Sequence, residues 1–348
     1  MNIGYLSSDM NILTSNHTSV DEKTSPIEKV LEWIGNDLEK VDSEFRKNLK
    51  SEVPIISAIA EHLLLSGGKR FRPMLLLLSA KLCGYQGDHH ISLASLIEFI
   101  HTATLLHDDV VDRAELRRGS LSANSIWGNE ACVLVGDFLF TKCFSLMVEN
   151  GNLKILRTIS RATTLMAEGE LEELIKTNDL TLTEEGYLSI IARKTAALIS
   201  AAGQIGAILG NVSEEREEAL YQFGMDLGIA FQLIDDNLDY TSKEEEFGKE
   251  IGIDLQDGKI TLPLIFTLNH CSEAERDFIR WTVDSHPITK EAFFRVVEVI
   301  GRYHGVQYTW EKAKVYVETA KEHLHLFPNS KEKEALCVLA DYVLERRL

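Results

Sequence analysis

The sequence is poor in residues that interrupt helices, cross-link a chain or anchor it in a membrane. Six prolines in 348 residues leave long stretches without a breaker, and Pro26, Pro287 and Pro328 fall where a helix could begin or end. Five cysteines, odd in number and without CxxC spacing, exclude a disulfide framework and a zinc ribbon. Their apolar surroundings fit buried thiols in a reducing compartment, so a cytoplasmic location is expected. Basic charge is in the minority: 36 Lys and Arg stand against 54 Asp and Glu, for a net charge of −18. That balance argues against non-specific binding of nucleic acid or anionic membrane, and no nucleic-acid partner is expected. Any anionic substrate must be held by local cations or metal.

The apolar segments Pro73–Ala80 and Ala196–Leu209 fall short of the roughly 20 residues that a membrane span needs. They read as core helices, and no transmembrane segment is expected. Residues 1–25, rich in Ser, Thr and Asn, lack the basic start and apolar run of a signal peptide and read as a disordered tail or short docking arm. No linker follows, so residues 26–348 read as one domain. Sustained β alternation is missing as well.

What is present has helical period. Val30, Leu31, Ile34, Leu38, Val41 and Phe45 recur at three- and four-residue steps. Similar patterns predict helices over Ile91–Val111, Ala123–Glu149, Thr183–Leu209 and Ser213–Tyr240, with loops over Arg113–Ser120 and Thr241–Lys259. The fold class is all-α, a large single-domain bundle of about 10–14 helices.

Two aspartate runs stand out in this helical background: Asp108-Asp109-Val110-Val111-Asp112 and Asp235-Asp236-Asn237-Leu238-Asp239. Residues four apart share a helix face, so each run presents two carboxylates in one direction. Unscreened, such pairs repel; a hard cation between them removes the repulsion. Mg²⁺ suits oxygen ligands and commonly joins one or two carboxylates to substrate phosphates. The bland alternative, a solvated acidic face, fits poorly with the apolar residues before each run, Leu105-Leu106 and Phe231-Gln232-Leu233-Ile234. Glu168-Gly169-Glu170 and Glu172-Glu173, by contrast, read as a solvated helix face. His107 reads as structural.

Cations complete the pattern. Gly67-Gly68-Lys69-Arg70-Phe71-Arg72-Pro73 joins a permissive backbone to three positive charges, and Arg117-Arg118-Gly119 follows the first aspartates. Taken with His101, Lys194-Thr195, Gly248-Lys249 and Asp257-Gly258-Lys259, in this order and spacing, the chain from about Pro26 to Arg346 resembles the trans-isoprenyl (polyprenyl) diphosphate synthases. The run Ile100–Asp112 closely resembles the bacterial octaprenyl diphosphate synthases of that family.

The resemblance implies the isoprenoid synthase fold, helices around a deep central cavity, in a homodimer. It assigns Asp108, Asp109, Asp112, Asp235, Asp236 and Asp239 to a cluster of about three Mg²⁺ ions, not every carboxylate being a direct ligand. It assigns Lys69, Arg72, His101 and Arg118 to the diphosphate of isopentenyl diphosphate. Arg117, Lys194, Lys249 and Lys259 match the positions that hold the allylic diphosphate, farnesyl or geranylgeranyl. Lys194, Thr195, Gln232 and Lys249 are the implied catalytic group, with Thr195 and Gln232 beside the reacting carbons. The implied reaction is head-to-tail condensation through an allylic carbocation, giving a medium- or long-chain all-trans polyprenyl diphosphate such as octaprenyl diphosphate, for quinone side chains.

Product length is expected to depend on residues upstream of Asp108. Ala103 and Thr104 are small where short-chain members carry an aromatic residue, and Phe144 or Met147 on the next helix is expected to form the floor. The alternatives are a shorter-chain synthase, a non-catalytic subunit of a heteromeric synthase, a class I terpene cyclase and a ligand-free scaffold. The intact second aspartate run and the retained Lys69, Arg72 and Arg118 disfavour the last three.

Overall fold

The computed structural model describes residues 25–65, 70–117, 119–241, 252–285 and 287–345. The tail expected over residues 1–25 therefore lies outside the described residues except for Ser25, which caps the first helix. Ser25 Oγ accepts from the Glu28 N–H and Ser25 N–H donates to Glu28 Oε2. Such a box, with Pro26 at the first helical position, contributes on the order of 1 kcal/mol.

In chain order the helices are α1 Pro26–Asn48, α2 Pro54–Leu65, α3 Phe71–Leu82, α4 His89–Val111, α5 Ala123–Trp127, α6 Asn129–Asn150, α7 Leu153–Ile175, α8 Glu184–Ile191, α9 Ala197–Leu209, α10 Glu214–Thr241, α11 Ile253–Gln256, α12 Leu262–His270, α13 Glu273–Asp284, α14 Lys290–Arg302, α15 Gly305–His323 and α16 Lys331–Glu345. The all-α expectation holds. Sixteen helices among the described residues exceed the predicted range because short or broken pieces are counted separately. Gly128, at φ 84° and ψ 159°, breaks the predicted Ala123–Glu149 helix into α5 and α6. A π-helical turn, Ala192–Ala196, interrupts the predicted Thr183–Leu209 helix between α8 and α9. The helix α11 lies within the predicted Thr241–Lys259 loop. Two short strands, Leu116–Arg117 (β1) within the predicted Arg113–Ser120 loop and Ser120–Leu121 (β2) at its end, pair antiparallel.

α3 and α9 form the centre. Met74, Leu75, Leu76, Leu77 and Leu78 of α3 are fully buried, as are Leu198, Ile199, Ala202 and Ile205 of α9, and the two helices pack on each other. A helix apolar on all sides has to be surrounded. α4 packs against α1 and α6; Phe45 and Phe99 stack there at 4.2 Å between ring centroids. α10 packs against α9 and α15.

α6 departs from expectation. Among the described residues it is the one helix long and apolar enough to cross a membrane by length and composition. Pro73–Ala80 and Ala196–Leu209, the apolar segments expected to be core helices, do not meet that test. Cys132, Val135, Leu139, Cys143, Leu146 and Met147 form its buried stripe, while Leu134, Phe144 and Val148 are 66%, 61% and 75% exposed. Of the two residues named for the floor, Phe144 or Met147, Phe144 lies on the outward face and Met147 is buried.

Candidate active site

The helix ends bring the two aspartate runs together. Asp112 is the C-cap of α4, and Asp235–Asp239 occupy the last turns of α10. Lys259 Nζ, from the segment after α11, lies 2.9 Å from Asp112 Oδ2 and 3.7 Å from Asp257 Oδ2. This cation thus ties the first aspartate run to the segment that follows the second, and it lines a cavity together with Asp236.

In each run the second aspartate turns inward. Asp109 is 1% exposed, and Arg117 donates to its Oδ1 from Nε (2.7 Å) and Nη2 (2.6 Å). In this structure Arg117, expected to hold the allylic diphosphate, is occupied by that carboxylate. Asp236 is 4% exposed and accepts from Gln232 Nε2 (2.7 Å) and from the Tyr187 hydroxyl. Asp239 accepts from the N–H groups of Ile253 (3.2 Å) and Asp254 (3.1 Å), which fixes the start of α11. Asp108, Asp112, Asp235 and Asp239 stay half-buried at the mouth. Among the described residues no three acidic, His or Cys side chains already sit in ligating geometry.

The π-helical turn positions the next group. Such turns shift a helix out of register and recur at functional sites. Here neighbouring glycines allow close backbone approach on both sides. A Cβ on Gly169 of α7 would lie 2.5 Å from the Lys194 nitrogen, and one on Gly228 of α10 would lie 2.5 Å from Ala196 Cα. Lys194 pairs with Glu170 (2.8 Å) and, more closely, with Glu173. The solvated-face expectation therefore needs correction: Glu168 is exposed, but Glu170 and Glu173 face the site, and Glu172 pairs with Arg193 at 2.9 Å. Residues 170 and 173 are three apart on a helix, and that spacing could have flagged them. Thr195 Oγ1 donates to Gln232 Oε1 at 2.8 Å.

A cavity of about 90 Å³ collects these residues, with Glu173, Tyr187, Lys194, Thr195, Gln232 and Lys259 in its wall. It is smaller than the roughly 300 Å³ or more typical of ligand pockets, and the Lys194 and Lys259 ion pairs lie in its wall. Burial, the Glu170 carboxylate and Asp112 push the Asp108 carboxyl up to about 7, against Lys194 and Arg117. Asp236 is likewise pushed up to about 7, by burial first, although its Tyr187 and Gln232 hydrogen bonds pull the other way. For Lys194, Glu173 and Glu170 outweigh the burial that would lower its pKa, and the net shift is upward.

Arg72 lies half-buried in the first turn of α3, and His101 half-buried on α4. Lys69, Arg118 and Lys249 lie outside the described residues. Thr104 is half-buried one turn before Asp108, and Ala103 is fully buried. His107, expected to be structural, has its Nε2 3.1 Å from the Val133 carbonyl.

Comparison with known proteins agrees with this arrangement. Residues 53–300 match the family model described as polyprenyl synthetase. Octaprenyl diphosphate synthase of Escherichia coli (strain K12) is 40% identical over 320 residues, covering 92% of this chain and 99% of its own. The crystal structure of a polyprenyl synthase from Caulobacter crescentus CB15, complexed with calcium and isoprenyl diphosphate, is similar with a TM-score of 0.90 and 41% identity, over 94% of this chain and 100% of that one. A decaprenyl diphosphate synthase from Rhodobacter capsulatus is similar at 0.88 and 40%, over 92% and 99%. Helical architecture, paired aspartate runs and these matches have one meaning: the chain belongs to the polyprenyl synthetase family of prenyltransferases.

Proposed function

We propose that the protein elongates an allylic diphosphate with isopentenyl diphosphate in a Mg²⁺-dependent reaction, giving a medium- or long-chain all-trans polyprenyl diphosphate of the octaprenyl class. The observation that carries this reading is the Lys259–Asp112 pair, which ties the first aspartate run to the segment after the second, in a cavity that Lys259 shares with Asp236. The donor set fits a hard divalent cation: every candidate ligand is a carboxylate oxygen, burial first and then Glu170 and Asp112 push the Asp108 carboxyl up to about 7, and Asp109 Oδ2 is buried without a hydrogen-bond partner. Asp108, Asp112, Asp235 and Asp239 are the candidate ligands; Asp109 and Asp236 support them from within. When bound, Mg²⁺ would supply electrostatic stabilisation of the negative charge that develops on the diphosphate leaving group.

The chain's own residues account for the rest. Lys194 and Lys259 can exchange their carboxylate partners for diphosphate oxygens, and that exchange would open the cavity. Arg72, His101, Lys69 and Arg118 are proposed to hold the second diphosphate, Lys249 the allylic one. Thr195 and Gln232 present oxygen lone pairs near the reacting carbons, which favours positive charge there. Leu182, Ile190, Ile191 and Ile260 in the same wall exclude water that would quench a carbocation. Two substrates held side by side then react without a protein nucleophile.

A second copy of the chain is the proposed partner, seated on the outer face of α6. Leu134, Phe144 and Val148 are exposed there, but Asp137, Thr141, Ser145 and Glu149 share the stripe, which suits a protein neighbour better than lipid. The cytoplasm is the proposed location, supported by five free cysteines. The test is to incubate purified protein with Mg²⁺, isopentenyl diphosphate and farnesyl diphosphate, and to size the dephosphorylated products. A ladder ending near eight isoprene units is expected on the reading above. Failure to extend farnesyl, geranyl and geranylgeranyl primers alike would sink it.

A further inference from the structure

Four buried or half-buried side chains form a continuous hydrogen-bond chain at the centre of the site. The Tyr187 hydroxyl donates to Asp236 Oδ2, Gln232 Nε2 donates to Asp236 Oδ1 at 2.7 Å, and Thr195 Oγ1 donates to Gln232 Oε1 at 2.8 Å. Tyr187 is 4% exposed on α8, Thr195 sits in the π-helical turn, and Gln232 and Asp236 stand one turn apart on α10. Three elements are therefore tied by one polar thread, and all four residues line the same cavity.

The direction of the thread follows from the donor and acceptor inventory. Asp236 accepts at both oxygens here, so the Gln232 amide turns its NH₂ toward Asp236 and its oxygen toward Thr195. The Thr195 hydrogen is then committed to Gln232, and its lone pairs remain for the cavity. A hydroxyl turned the other way would place a partial positive charge beside a developing carbocation. Orientation, beyond mere presence, decides whether Thr195 helps or hinders.

We propose that Tyr187 is a positioning residue for prenyl transfer: by holding Asp236 it fixes the Gln232 amide, and through it aims the Thr195 lone pairs at the reacting carbon. Nothing in the sequence marks Tyr187, which has the spacing of an ordinary core aromatic. This inference rests on the prenyl-transfer reading above.

Steady-state kinetics of Tyr187→Phe, Thr195→Val and the double variant test it. Tyr187→Phe keeps the ring and removes only the donor. Its kcat is expected to fall roughly tenfold or more while the KM values for both substrates stay within about twofold. The double variant should be no slower than Thr195→Val alone, because both lesions cut one thread. Full activity of Tyr187→Phe, or losses that multiply in the double variant, would overturn the proposal.

If Tyr187→Phe does not fold, a polarity swap decides. Asp236→Asn turns an NH₂ toward Gln232, forces that amide over and drives the Thr195 hydrogen into the cavity, so kcat falls. Adding Gln232→Glu supplies a carboxylate that accepts from the new amide and from Thr195, which restores the direction. The pair should be roughly tenfold faster than Asp236→Asn alone; no recovery would place the role of Asp236 elsewhere and overturn the relay. Wild-type protein that elongates no primer would defeat the prenyl-transfer reading itself, whereas an active wild type with an unaffected relay defeats only this inference.

Discussion

Lys259 Nζ stands 2.9 Å from Asp112 Oδ2, closing the segment after the second aspartate run onto the last carboxylate of the first. The pair is about one-fifth to one-quarter exposed, so its energy is less screened than that of a surface pair. Burial alone would lower the Lys259 pKa, but Asp112 and Glu173 raise it, so the side chain stays cationic through the physiological range. Lys259→Met is expected to raise the KM for the allylic diphosphate about tenfold, while Lys259→Arg retains most of the affinity. An unchanged KM in Lys259→Met, measured at saturating isopentenyl diphosphate, would remove Lys259 from the binding site.

Glu170 and Glu173 hold Lys194 when no diphosphate does. Removing one of them leaves a largely buried ammonium with a single partner, so ligand-free Glu173→Gln should lose roughly 1–2 kcal/mol of stability. Diphosphate oxygens would replace the missing carboxylate. The fall in unfolding temperature should therefore be larger without ligand than with Mg²⁺ and farnesyl diphosphate together. Equal losses in both states would show that Glu173 serves the scaffold and not the exchange.

The aspartate runs, the cations beside them and the helical class were legible in the sequence, because carboxylates at i and i+4 and an apolar period of 3.6 are local patterns. What escaped was set by packing. Tyr187 looks like any core aromatic until Asp236 is placed against it. The π-helical turn has no composition of its own; Gly169 and Gly228 reveal it only when their neighbours are known. Glu170 and Glu173 carried the right spacing but sat in an acidic run with Glu168, which is solvated. Phe144 and Met147 are three residues apart and straddle the edge of α6's buried stripe, so hydrophobicity alone could not separate the outward residue from the inward one.

The carboxyls of Asp108 and Asp236 make the effect of metal depend on pH. Each is pushed up to about 7 from an ordinary 3.8. A carboxyl with a raised folded value keeps its proton in the folded chain after the unfolded chain has lost it. Stability is thus greatest below the ordinary value and declines as pH rises toward about 7. Above that window the site carries uncompensated negative charge, which a divalent cation relieves without first displacing protons. The rise in unfolding temperature on adding MgCl₂ should be larger near pH 8 than near pH 6. Differential scanning fluorimetry at the two pH values measures it, and an equal rise at both would contradict the burial assigned to these carboxyls.

Product length tests the geometry above the aspartates. Thr104 precedes Asp108 by one turn on the same helix face and is half-buried, whereas Ala103 is fully enclosed. An aromatic side chain at 104 leans back toward the start of α4, away from the mouth, but at 103 it must first displace core atoms, at roughly 1–3 kcal/mol. Both Thr104→Tyr and Ala103→Tyr should shorten the products by several isoprene units, and Ala103→Tyr alone should also lower the unfolding temperature by several degrees. Chromatography of the dephosphorylated alcohols measures the first effect and calorimetry the second. A product ladder unchanged in both variants would mean that this face of α4 does not line the path of the growing chain.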